Sequence, residues 1–157
     1  MKMPKKALKS DWDRYEPMPE EHVVLSFQHE YSPGDYEKIQ YGVIPEQMED
    51  KWFIYFEENK LHCHRSWTGN CLYIAEFEVS ERSSKITKLT VNRDREQYTE
   101  RDNNWDCHFV VYLINLLLLH KPTPYPEKDD IDPETSAVQQ WSQVGRAMFE
   151  EDVNEQS

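Results

Sequence analysis

The stretch His64-Arg65-Ser66-Trp67-Thr68-Gly69 gathers an imidazole, a guanidinium, two hydroxyls, an indole and a glycine in consecutive positions. Arginine offers a planar fork of donors suited to phosphate or carboxylate. An indole stacks on a base or another flat ring, and a glycine lets a ligand approach the backbone closely. With Lys51 added from just upstream, these residues have the chemistry of a pocket for a small anionic, ring-containing ligand such as a nucleotide. The same residues have a plainer reading. Trp67 would be a core anchor, Arg65 would pair with Glu49 or Asp50, and Thr68-Gly69 would only make a turn.

Other chemistry is less well supplied. Glu46, Glu49 and Asp50 cluster before an aromatic run, and Glu49 or Asp50 would be the base if the chain were an enzyme. Carboxylates beside a loop are more often solvated or ion-paired. His62 and His64 share one strand face, and Cys107-His108 follows later, but no Cys-x-x-Cys pair completes a metal set, so no metal is expected. Ser66 lacks the glycine pattern of a nucleophile elbow. No phosphate-binding loop or dinucleotide fingerprint occurs, and no cofactor is expected. Cys63, Cys71 and Cys107 form no paired framework, and Cys63 and Cys71 read as small buried hydrophobes.

The elements that must position these residues follow from periodicity. Val23 to Phe27 is β-like and reads as an additional strand or an extended arm. Ser32-Pro33-Gly34-Asp35 reads as a helix start, with Ser32 as cap and Pro33 in the first turn. From Lys51 the period becomes two: Trp52, Ile54 and Phe56 face one way, Phe53, Tyr55 and Glu57 the other. Glu58-Asn59-Lys60 makes a hairpin, Leu61 to Arg65 returns, Cys71 to Glu78 is a third strand and Ile86 to Asn92 a fourth. Residues 92–104 read as a charged loop ending in a cap at Asp102, Asn103 or Asn104. A helix from about Trp105 to His120 is apolar on nearly every side, the mark of a helix sandwiched between layers. A last helix carries Ala137, Trp141, Val144, Ala147 and Met148. The pattern predicts an α+β fold: an antiparallel β-meander of about four strands with two or three helices packed mainly on one face. Residues 1–22 are expected to be a flexible N-terminal segment, 23–149 a single domain and 150–157 an acidic mobile tail.

The 157 residues carry a net charge of −12. The acidity lies in residues 1–50 and 121–157, while 51–120 are nearly neutral. Such a field repels nucleic acid, whose binding rests on cations neutralising phosphates. The longest apolar run, Phe109 to Leu119, is broken by Asn115 and too short for a bilayer. No nucleic-acid or membrane partner is expected, and the unpaired cysteines fit a reduced, cytoplasmic setting.

The runs Gly42-Val-Ile-Pro-Glu-Gln-Met-Glu-Asp-Lys-Trp-Phe-Ile-Tyr-Phe-Glu and Leu61-His-Cys-His-Arg-Ser-Trp-Thr-Gly-Asn-Cys-Leu-Tyr resemble a group of small, uncharacterised microbial proteins. These share a Glu-Asp-Lys-Trp-Phe strand start and a His-Arg-Ser-Trp-Thr-Gly turn, and such segments occur near or fused to ADP-ribose-processing proteins. The resemblance covers about a quarter of the chain and implies a shared site without a named reaction. Three readings follow. The first is a binding domain that holds a nucleotide or ADP-ribose-like molecule through Lys51, His64, Arg65, Ser66, Trp67, Thr68 and Gly69, sequestering a nucleotide signal in a bacterial or phage setting. The second is an acidic immunity or inhibitor-type module that docks on a basic protein partner through Asp129, Asp130, Asp132 and the tail. The third is a hydrolase of an ADP-ribosyl bond with Glu49 or Asp50 as base.

Overall fold

The computed structural model describes residues 5–126. The helix expected around Trp141, the aspartates at 129, 130 and 132 and the acidic tail lie outside them. The strands are β1 (His22–Tyr31), β2 (Trp52–Glu57), β3 (Lys60–Arg65), β4 (Cys71–Val79) and β5 (Ser84–Asn92). They form one antiparallel sheet in the order β1-β5-β4-β3-β2. The count is therefore five strands, not about four. The additional strand is the Val23–Phe27 segment, which pairs with β5 and places Val23 opposite Val91 and Leu25 opposite Leu89. Its alternation of exposed and half-buried residues fits an edge strand with one face on the core.

β2 and β3 are joined by Glu58 and Asn59, both with positive φ (54° and 63°). That is the mirror-image turn whose twist matches the strands it connects, and asparagine tolerates it well. Trp52 then lies opposite Arg65 and Phe53 opposite His64. Trp52, Ile54, Leu61, Cys63, Tyr73, Ala75 and Leu89 form the core layer of one face. Both described helices pack into that layer. α1 (Pro33–Ile39) starts on Ser32, whose hydroxyl accepts from the Asp35 amide, and it contributes the buried Ile39. α2 (Asn103–Leu113) starts on Asp102, whose carboxylate accepts from the Trp105 amide at 3.1 Å. It continues as a π-helical turn, Ile114–Leu118. Phe109 of α2 sits 6.1 Å from both Trp52 and Tyr73, and Trp105 stacks on it at 4.7 Å.

The opposite face holds Phe53 and Tyr55, also buried. Among the described residues no α-helix covers them. Residues 7–16 of the chain start do. Ala7 is buried and its amide donates to the Tyr41 carbonyl at 2.8 Å. Trp12 stacks on Phe53 at 5.8 Å, and Tyr15 lies against Tyr55. The reason is apolar area: period-two alternation sends two large rings to the side away from the helices, and residues 7–16 remove them from water. Burying one such ring is worth about 1.5–3 kcal/mol.

A buried polar knot fixes the long loop between β5 and α2. Asp106 accepts from Tyr98 (2.6 Å), from Tyr73 (3.2 Å) and from Arg93 (2.6 Å). Arg93 also reaches Asn103 and the carbonyls of Asn92 and Glu100. Burial pushes the Asp106 carboxyl above its usual range, while its hydrogen bonds and Arg93 pull the other way. Replacing Asp106 by Ala leaves a nearly buried guanidinium without its counter-charge. Breaking a buried pair in this way costs about 3–5 kcal/mol. We expect a urea midpoint shifted to match for Asp106→Ala, and a smaller loss for Asp106→Asn, which still accepts from the tyrosines.

Candidate functional site

The structure separates the residues that the sequence groups together. Arg65 lies across the β2–β3 pair from Trp52, with its guanidinium 5.1 Å from that ring centroid. Tyr73 and Tyr98 are close enough to act on its charge. The guanidinium therefore belongs to the helix-covered side. Burial pulls its pKa down, with the two tyrosines opposing. Trp67 belongs to the other side, where the 66–70 turn meets the chain start. Arg65 and Trp67 thus do not wall one pocket.

Ser66 is buried and its hydroxyl donates to the Asp50 carbonyl at 2.7 Å, while its own carbonyl accepts from the Trp12 indole at 3.0 Å. Its hydroxyl and carbonyl bracket the turn to Asp50 and to the chain start. Gly69 is needed, but for the chain itself. Its φ is +79°, and a Cβ there would lie 1.9 Å from the Arg14 carbonyl oxygen. The close approach that glycine allows is made by residues 14–16, and the Gly69 carbonyl accepts from the Glu16 amide at 3.0 Å. Thr68 is exposed and its hydroxyl accepts from the Asn70 amide. His64 is fully buried beneath Tyr15, with ring centroids 4.6 Å apart. It is not open to a ligand.

The two acids proposed as bases divide as well. The Asp50 carboxylate accepts from the amides of Glu46 (2.9 Å) and Gln47 (3.2 Å), closing the turn before β2. Glu49 is exposed.

What remains at the surface is Trp67, 51% exposed yet held from three directions. Its indole N–H donates to the Met48 carbonyl at 2.8 Å, and its own carbonyl accepts from Arg14 at 2.6 Å. The Lys51 ammonium sits 3.8 Å from the ring centroid. Such a contact contributes about 0.5–1 kcal/mol at an exposed site. Trp67 walls an open cleft of about 650 Å³ between residues 11–14, residues 45–48 and the 66–67 turn. Asp11, Asp13 and Glu46 line it, against Arg14 as the basic residue. Asp11 is engaged by Lys5 at 2.6 Å and by the Leu8 amide, which hold its pKa down. Carboxylates outnumber the basic residue in the lining, with Lys5 on Asp11 and Lys51 on Trp67 beside them.

Asp11, Trp12, Asp13 and Arg14 escape a reading that leaves the N-terminus loose. The available signal was the pair Trp12 and Tyr15, large rings in a stretch otherwise dominated by charge. Among the described residues no group of three or more His, Cys, Asp or Glu could hold a metal ion, and no helix is long and apolar enough to cross a membrane. No protein-family model, curated protein or solved structure matches this chain.

The Gly69 contact is open to a direct test. In Gly69→Ala the new methyl group collides with backbone, and the left-handed conformation alone costs about 1–2 kcal/mol. We expect a thermal midpoint lowered by at least that equivalent, with amide exchange at Glu16 accelerated more than at Leu89. Equal acceleration at both positions would show that the turn and the chain start are not locally coupled.

Proposed function

We propose that the protein is a binding module, not an enzyme, and that its cleft takes a basic segment of a protein partner. The observation that supports this reading is the exposed but immobilised Trp67 beside Asp11, Asp13 and Glu46. A tryptophan left half in water keeps apolar area exposed, and fixing its ring adds an ordering cost. A ring fixed before binding lowers the entropy that a partner must overcome on docking. Indole faces attract guanidinium and ammonium groups, and neighbouring carboxylates add charge complementarity and faster encounter. The net charge of −12 acts in the same direction.

A nucleotide or ADP-ribose-like ligand is the second reading. It is favoured by Lys51 on the Trp67 ring and by Arg14 at its carbonyl. Arg65 contributes nothing to it from the far side of the sheet, and three carboxylates oppose it. The hydrolase reading has the least support, because Asp50 is committed to backbone amides and Glu49 is exposed.

Calorimetry with a short arginine-rich peptide and, separately, with ADP-ribose distinguishes the two. The peptide is expected to bind, with affinity falling as ionic strength rises. Trp67→Ala should weaken it by about tenfold or more, the scale of a hot-spot aromatic, with only the small drop in thermal midpoint that loss of the Met48 and Lys51 contacts brings. ADP-ribose binding that is lost in Lys51→Ala, with no peptide binding, would replace this reading with the second.

A further inference from the structure

We infer that His62 and His64 form a proton-operated latch for the chain start, residues 7–16, and thereby for the cleft. His64 Nδ1 lies 2.9 Å from the Gly69 carbonyl, so that nitrogen carries the proton and donates. The same carbonyl accepts from the Glu16 amide. One oxygen thus ties the β3 histidine and the N-terminal segment together. His64 Nε2 and His62 Nδ1 are buried, and neither has a hydrogen-bond partner among the described residues. His62 stacks on Tyr55 at 4.6 Å with the rings parallel, and Tyr55 donates to the Tyr15 hydroxyl at 3.2 Å.

Protonating either ring would place a buried N–H without an acceptor, an arrangement that costs more than a neutral unpaired group. The surroundings offer no relief. Lys9 and Tyr15 face the pair from the chain start, and Tyr55 faces it from β2. Lys60 comes from β3 itself, across from Glu57 of β2. Cys71 of β4 lies opposite His64, and burial pushes its thiol up to about 12, so it stays neutral. The ammonium groups of Lys9 and Lys60 repel an imidazolium, as the two rings would each other.

Both rings accordingly titrate low. Burial is the first cause for each, and His62 is pulled down to about 4. A histidine whose folded pKa lies below its unfolded value of 6.5 contributes fully above that value. Its contribution is lost as pH falls towards the folded value, because the unfolded state then binds more protons. The contact that yields first is the one lying on the rings. Freed residues 11–14 would take away one wall of the cleft and the Arg14 bond to Trp67, so acid would close down partner binding. That last step rests on the cleft being the recognition site; the opening of the chain start does not. His29 is also lowered by burial, but it sits on β1, next to Tyr31 and at the far edge of the sheet.

The test reads the chain start directly, on the full chain and without partner. Amide-exchange protection at Ala7, Glu16 and Leu89 and the histidine ring signals are followed by NMR from about pH 7.5 to about 3.5. Protection at Ala7 and Glu16 is expected to fall by about tenfold or more while Leu89 holds, in step with titration of His62 and His64. In the double variant His62→Phe/His64→Phe that pH dependence should vanish. Flat protection at Ala7 and Glu16 in the native chain would overturn the proposal. So would rings that titrate near 6.5 with the segment still closed, or a double variant that opens at the same pH. If the double variant does not fold, the native titration decides alone.

Discussion

Trp52 and Phe53 are neighbours in the chain, both are buried, and they point to opposite sides of one sheet. An antiparallel sheet can normally leave one face to water. Here β2 forbids that, because alternation places large rings on both faces. The helix-covered side follows familiar layer packing, with Phe109 and Trp105 of α2 laid over Trp52 and Tyr73. On the other side no α-helix among the described residues lies over the rings, and residues 7–16 cover them with Ala7, Trp12 and Tyr15. Everything at the candidate site depends on this second cover. Without it there is no partner for Gly69, no wall opposite Trp67 and no lid on His64.

This dependence explains why a dense row of functional-looking residues turns out to be divided labour. The segment from His64 to Gly69 straddles a strand end, where each step of the chain turns a side chain to the other side. Arg65 falls to the helix side, His64 and the turn to the N-terminal side. Ser66 and Gly69 spend their special chemistry on holding chain to chain. Trp67 is left over, fixed and partly wet, in an acidic frame. The electrostatics of that frame matter more to the functional reading than the presence of one arginine nearby in sequence.

Much of the fold was legible because it is local. The alternation from Trp52 to Glu57, the turn at Glu58-Asn59, the Ser32 cap, the Asp102 cap and the all-round apolar helix each follow from a few adjacent residues. What was not legible is long-range. That β1 seals the sheet beside β5 requires knowing which edge is open, and Val23 to Phe27 alone does not say. That Trp12 lies on Phe53 requires knowing that the second face would otherwise be bare. The division of the candidate residues has the same origin: adjacency in sequence suggested one pocket, while the strand's pleat sends Arg65 and Trp67 to different sides. Tyr73 comes from β4, Arg93 and Tyr98 from the loop after β5 and Asp106 from α2, and no spacing rule joins them in advance.

The pairing of β1 with β5 carries a consequence for how the chain reaches this state. β2, β3, β4 and β5 zip in order through short connections, each hairpin closing on its predecessor. β1 is made first, yet its neighbour in the sheet is the last strand to emerge. Seventy positions separate His22 from its mate Asn92. Contacts so distant in sequence slow folding, since loop closure must precede the reward. During synthesis the young strand waits with its backbone groups in water, and its histidines and glutamate (His22, His29 and Glu30) discourage it from finding the wrong neighbour.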